Sequence, residues 1–77
     1  MHAPKVGEKY FNRGCLFVVL RIEPPVTGDY RGDSITVQVC RYYSNVEGVL
    51  CTSWLTTIGL YEWEEEMADA VRVVENQ

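Results

Sequence analysis

The stretch from Cys15 to Glu23, Cys-Leu-Phe-Val-Val-Leu-Arg-Ile-Glu, constrains this chain more than any other. It is rich in aliphatic, β-branched and aromatic residues and lies between Asn12-Arg13-Gly14 and Pro24-Pro25, which makes it a strand between two breaks. Side chains alternate across a strand. One face therefore carries Leu16, Val18, Leu20 and Ile22, all apolar, and is expected in the core. The other carries Cys15, Phe17 and Val19 before it turns polar at Arg21 and Glu23, so half of it also needs cover. Two things can supply that cover: the chain's own C-terminal helix, or a second molecule.

With 77 residues the chain is long enough for one domain, read as 1–77. A domain of this size buries only about 60% of the surface its unfolded chain exposes, so disulfides, metals or partner subunits often supplement the core. Hydrophobic residues make up 47% of the sequence, which favours folding over disorder. Cys15, Cys40 and Cys51 are odd in number. The N-terminal Met-His-Ala-Pro-Lys has no apolar signal core, so a reducing cytoplasm is expected and the cysteines read as small hydrophobes. A Cys40–Cys51 disulfide across a hairpin is the alternative. No apolar run reaches the length of a membrane span.

The remaining elements follow from alternation and from turn residues. Val6 to Phe11 reads as a first strand, closed by a turn at Asn12-Arg13-Gly14. After Cys15–Glu23, residues 24–33 hold two prolines and two glycines and form the longest loop. Ser34 to Tyr43 alternates Ile35, Val37 and Val39 with Thr36, Gln38 and Cys40, a half-buried strand. The shift at Arg41-Tyr42-Tyr43 suggests a bulge. Asn45-Val-Glu-Gly48 suits a type I turn, leading to a strand at Val49–Ser53. Ser53 can cap a short helical turn over Trp54–Ile58 that leaves through Gly59, and Leu60–Trp63 reads as a closing strand. Trp63, Met67, Ala70, Val71 and Val74 then fall on one helical stripe, predicting an α-helix over 63–74. Residues 62–77 carry six acidic side chains against Arg72, whereas residues 1–45 are mildly basic. A solvated helix face accounts for this; an acidic tail that meets a basic partner is the sharper reading.

Five short strands with a single helical turn before the last resemble an SH3-like barrel. Gly7, Tyr10, Gly14, Phe17 and Leu20, and the run Gly48-Val-Leu-Cys-Thr-Ser-Trp-Leu, are similar to short bacterial and phage barrel proteins. The resemblance spans residues 6–63. It implies a mainly β fold, a small five-stranded SH3-like barrel with a C-terminal α-helix, and it carries no catalytic signature.

The chemistry offered by the sequence is sparse. His2 is the only histidine, so acid–base designs and a cysteine nucleophile with a neighbouring base are not expected. No C-x-x-C or H-x-x-H pair is present for a metal. There is no phosphate loop, and no cofactor is expected. Clustered basic residues for nucleic acid are missing. Arg31-Gly32-Asp33 reads as turn chemistry and not as an adhesion motif. The aromatic residues are more telling. Tyr30 and Arg31 in the long loop, Tyr42 and Tyr43, and Trp54 at the helical turn are the candidate binding residues. Tyr42 and Tyr43 are consecutive, so a regular strand sends them to opposite faces. On such a barrel residues from the long loop and the helical turn lie along one rim suited to a protein or peptide partner.

The expected function is a non-enzymatic interaction module that binds a protein or peptide and associates with itself. Two alternatives stand beside it. The chain resembles, in length and coarse layout, the plasmid-borne dihydrofolate reductases of SH3-like fold, which implies a small oligomeric enzyme with its site at a subunit interface. Their Val-Gln-Ile-Tyr motif is here Val49-Leu-Cys-Thr52. The other alternative is a mobile-element inhibitor of a host protein acting through the acidic tail.

Overall fold

The computed structural model describes residues 4–25 and 32–74. Its elements are β1 (Lys9–Asn12), β2 (Cys15–Glu23), β3 (Ser34–Asn45), β4 (Gly48–Gly59), α1 (Leu60–Glu66) and β5 (Val71–Val73). All strand pairs are antiparallel and form one five-stranded sheet in the order β4-β3-β2-β1-β5. The sheet is open. β4 and β5 are its two edges, and the ladder between them that would close a barrel is not formed among the described residues.

Turn chemistry sets the two tight hairpins. In the β1–β2 turn Arg13 and Gly14 take φ of 52° and 81°, which gives the primed turn whose twist matches paired strands. In the β3–β4 turn neither Val46 nor Glu47 takes a positive φ. Asn45 Oδ1 accepts the Glu47 N–H at 2.8 Å, as a type I turn led by asparagine does.

Register assigns every side chain to a face, because residues directly opposite share one. Val19 pairs with Val37, Phe17 with Val39 and Tyr10 with Phe17, so these lie together on the helix side. Tyr10, Val19, Ile35, Val37, Val39, Trp63 and Met67 form the buried core. β2 is therefore apolar on both faces, but its roles are reversed from the expectation. Phe17 and Val19 face the helix and the core, while Leu16 and Val18 lie on the outer face. The expected face is broken by a bulge between Val19 and Arg21, where Leu20 is the extra residue. The bulge turns Ile22 back to the core opposite Ile35 and sends Arg21 outward beside Thr36. No irregularity occurs at 41–43, where a bulge was expected; the β3–β4 ladder runs unbroken.

The C-terminal region departs most from expectation. Trp54–Ile58 is not a helical turn but part of β4, and Leu60–Trp63 is not a strand but the start of α1. The helix stops at Glu66 instead of continuing to 74, and Val71 lies in β5. Only the first two members of the expected stripe, Trp63 and Met67, are fully buried. Trp63 stands edge-on to Tyr10, with centroids 5.3 Å apart, and to Phe17 at 6.4 Å. Asn12 Nδ2 donates to the Glu66 carbonyl at 2.6 Å, satisfying one orphan acceptor at the helix end and fastening it to the β1–β2 turn.

Candidate functional site

Two surfaces stand out, both made by strands that outrun their neighbours. The first is the outer sheet face. β5, β1, β2 and β3 place Val71, Phe11, Leu16 and Cys40 in one row, and the next row carries Val73, Lys9, Val18, Gln38 and Leu55. No described element packs over these rows, since α1 covers the opposite face.

The second is an arm. β2 begins at Cys15, opposite Arg41, so β3 beyond Arg41 and its partner stretch of β4 project as a two-stranded ribbon. The ribbon helps to stretch the molecule to 50 Å along its longest axis. Tyr43 and Leu50 lie on its helix-side face and Tyr42, Val49 and Cys51 on its outer face, while Thr52, Trp54 and Leu55 carry β4 on along the body of the sheet. All of these are exposed. The Arg41 guanidinium sits 5.2 Å from the centroid of the Tyr43 ring, so a cation–π contact holds the base of the arm.

Of the expected binding residues, Tyr42, Tyr43 and Trp54 are described, all at exposed strand positions. Tyr42 and Tyr43 point to opposite faces, as alternation demands. Trp54 shares a face with Tyr43 but pairs with Val39, whereas Tyr43 pairs with Leu50. Trp54 reaches its place from a strand and not from a helical turn. Tyr30 and Arg31 lie outside the described residues. A strand ending at Ser53 does not bring Leu55 onto the sheet, and the exposure of Val49 and Leu50 follows from the arm outrunning β2. The signal was present: Gly48 to Gly59 runs for twelve residues without one charge or proline.

Cys40 and Cys51 lie diagonally on the outer face, opposite Ser53 and Tyr42 respectively. Both are free thiols, as is Cys15 on the helix side. Local burial, and after it the neighbouring Cys40, push the Cys51 thiol above its ordinary range. A raised thiol holds less thiolate, the opposite of an activated nucleophile.

A third region is an open groove at the start of β1, lined by Lys5, Val6, Glu8, Arg72 and Val74. The Glu8 carboxylate is already committed there. It accepts from Lys5 N–H at 2.7 Å, from Tyr10 Oη at 2.8 Å and from Arg72 Nη1 at 2.6 Å. Burial raises the Glu8 pKa, but those donors together outweigh it and hold the carboxyl below its usual range. Burial of the ring, and after it the same carboxylate, push Tyr10 up from 10.0 to about 12. The arrangement fastens β5 to β1. Among the described residues no group of three or more His, Cys, Asp or Glu side chains could hold a metal, and no helix is long and apolar enough to cross a membrane. Comparison with protein-family models, curated proteins and solved structures finds no match.

Proposed function

We propose that the chain is a non-enzymatic interaction module that acts through association with copies of itself. The observation that carries this reading is the outer sheet face. Phe11, Leu16, Val18, Leu55, Val71 and Val73 stand on it in neighbouring rows, and contiguous apolar surface of this kind marks interaction sites in soluble proteins. Lys9, Arg21, Thr36, Gln38, Cys40 and Ser53 stand among and beside them. The arm extends the same apolar character beyond the body of the sheet. An isolated two-stranded ribbon is marginal in water, so an exposed arm with apolar residues on both faces gains from a partner.

Light scattering coupled to size exclusion, run over a wide dilution range, tests the reading. The expected result is a concentration-dependent mass above the 8.8 kDa of one chain. A mass of one chain at every concentration would overturn it.

A further inference from the structure

We infer that two copies join along β4, strand edge to strand edge in antiparallel register, about a two-fold axis that passes through Ser53. This rests on the self-association proposed above and names one contact between the copies, along the β4 edge, separate from the outer-face rows over β5, β1 and β2.

The argument begins from how the two edges of the sheet are built. An edge strand presents unpaired N–H and C=O groups, and chains that stay single guard it with shortness, charge, proline or a bulge. β5 is guarded: it has three residues, with Arg72 at its centre. β4 has none of these devices. It spans twelve residues, Gly-Val-Leu-Cys-Thr-Ser-Trp-Leu-Thr-Thr-Ile-Gly, without a charge or a proline, and its ladder to β3 has no register break. One edge is therefore protected and the other is left open.

Register then shows which groups of β4 are available. Asn45 and Gly48 pair directly across a turn of two residues, so they exchange both backbone bonds. Alternation from that pair gives the even-numbered residues of β4 to β3. The N–H and C=O groups of Val49, Cys51, Ser53, Leu55 and Thr57 point away from the sheet. A second β4 can meet this row only where residues that share a face lie opposite one another. With the axis at Ser53, Ser53 meets Ser53 of the second copy, Cys51 meets Leu55 and Val49 meets Thr57. All the outward groups are then satisfied, by on the order of ten hydrogen bonds.

The chemistry of the strand suits a copy of itself. Having no charges, it meets no like charge across the axis, and Ser–Ser is a compatible central pair. The side chains at the junction are also the right size. Val49, Leu50 and Leu55 are 66%, 62% and 65% exposed, and Trp54 is 45% exposed. They present on the order of 400 Å², to which the paired backbone edge adds, against ~800 Å² per partner in a standard interface. The arm gains most. In this register Leu50 lies opposite Thr56 of the second copy and diagonal to its Trp54, so each arm is backed by the body of the other sheet. Contacts are reciprocal, as a closed two-fold interface requires. The two five-stranded sheets become one continuous sheet, with both helices on the same side.

Amide hydrogen exchange by NMR on the full chain, paired with light scattering, tests this. In the wild-type dimer the amides of Val49, Cys51, Ser53, Leu55 and Thr57 are expected to be protected together with the even-numbered amides bonded to β3. Ser53→Pro removes an outward N–H without touching the β3 ladder, and should weaken association about tenfold to a hundredfold. Ser53→Lys, which keeps the N–H but sets two like charges across the axis, should also shift the mass toward one chain. In both variants the remaining outward amides should exchange freely while the even-numbered ones stay protected, which shows that the subunit is still folded. A wild-type dimer whose outward β4 amides exchange freely, or variants that remain fully dimeric, would overturn edge pairing and leave self-association standing. A wild type that never dimerises overturns both.

Discussion

Arg72 Nη1 donates to Glu8 Oε2 at 2.6 Å across 64 positions of sequence, and this contact, with the Tyr10 hydroxyl on the other carboxylate oxygen, fastens β5 to β1. β5 is short, and its ladder to β1 holds only the pairs from Lys9–Val73 to Phe11–Val71. Arg72 is 49% exposed and Glu8 14%, so solvent screens the pair. A double-mutant cycle with Glu8→Gln and Arg72→Ala, read by urea denaturation, should give a coupling of about 0.2–1 kcal/mol. Zero coupling would mean that the link contributes nothing and the ladder alone holds β5.

The same cluster sets opposite responses to acid and alkali. The folded Glu8 carboxyl lies below its ordinary 4.5. Its contribution to stability is therefore complete above that value and is lost as pH falls through the lowered folded value. Tyr10 is raised to about 12 from 10.0. Its contribution is complete below 10.0 and is lost as pH rises through about 12. Absorbance titration of the tyrosinates should show a late step near 12. Tyr10→Phe should abolish that late step, and a late step that survives the substitution would refute the assignment.

Among the described residues Trp63 is the largest fully buried side chain, and its Nε1–H finds no hydrogen-bond partner among them. Trp63→Ala should cost ~3–5 kcal/mol. Against a total of roughly 4–11 kcal/mol for a chain of this length, that leaves the fold close to collapse. Trp63→Phe should be much milder than the lost volume suggests, because it also removes a donor that is buried without a partner. Thermal melts of the two variants decide this; equal losses would show that the indole N–H carries no penalty.

Leu20 is the extra residue of the β2 bulge. Deleting it should leave every flanking pair in place, with Val19 opposite Val37 and Arg21 opposite Thr36. Deleting Val18 instead should exchange the two faces of the strand on one side of the cut. Denaturation midpoints should separate the variants clearly, the first staying folded and the second not.

Cys51 is exposed but has a raised thiol. Its alkylation by iodoacetamide at mildly alkaline pH should be slower than that of an unstructured cysteine, and Cys40→Ser should speed it. Mass spectrometry of the digested protein gives both rates.

The sequence displayed β2 in full, from Cys15 to Glu23, because its limits are marked by turn residues and its composition is unbroken. It also showed that the strand is apolar on both faces. It could not show which face meets the core, since that depends on the bulge at Leu20, and a single inserted residue leaves no mark in an apolar run. Near the C-terminus two periodicities compete. Trp63 and Met67 fit a helix, and they do form its buried side. Val71 and Val74 fit the same stripe, but Val71 pairs instead with Phe11 of β1. The cap at Ser53 and the exit at Gly59 point to a helical turn over 54–58, yet continuous pairing with β3 holds that segment extended. Of the candidate site, Tyr42, Tyr43 and Trp54 were legible as exposed aromatics. Their division between two faces follows from register, and register is decided by partners distant in sequence.

The return of residues 71–73 to the flank of β1 has a consequence during synthesis. Chain growth on the ribosome delivers β1, β2, β3 and β4 in order, so each can zip onto its predecessor as it emerges. The outer rim of β1 must wait, with Phe11 and the Tyr10 backbone uncovered, until residues 71–73 have left the exit tunnel. Non-local pairings of this kind form late and slowly. In the nascent chain the β1 rim is therefore the last to be sealed, and a chaperone that reads extended apolar segments would find it there.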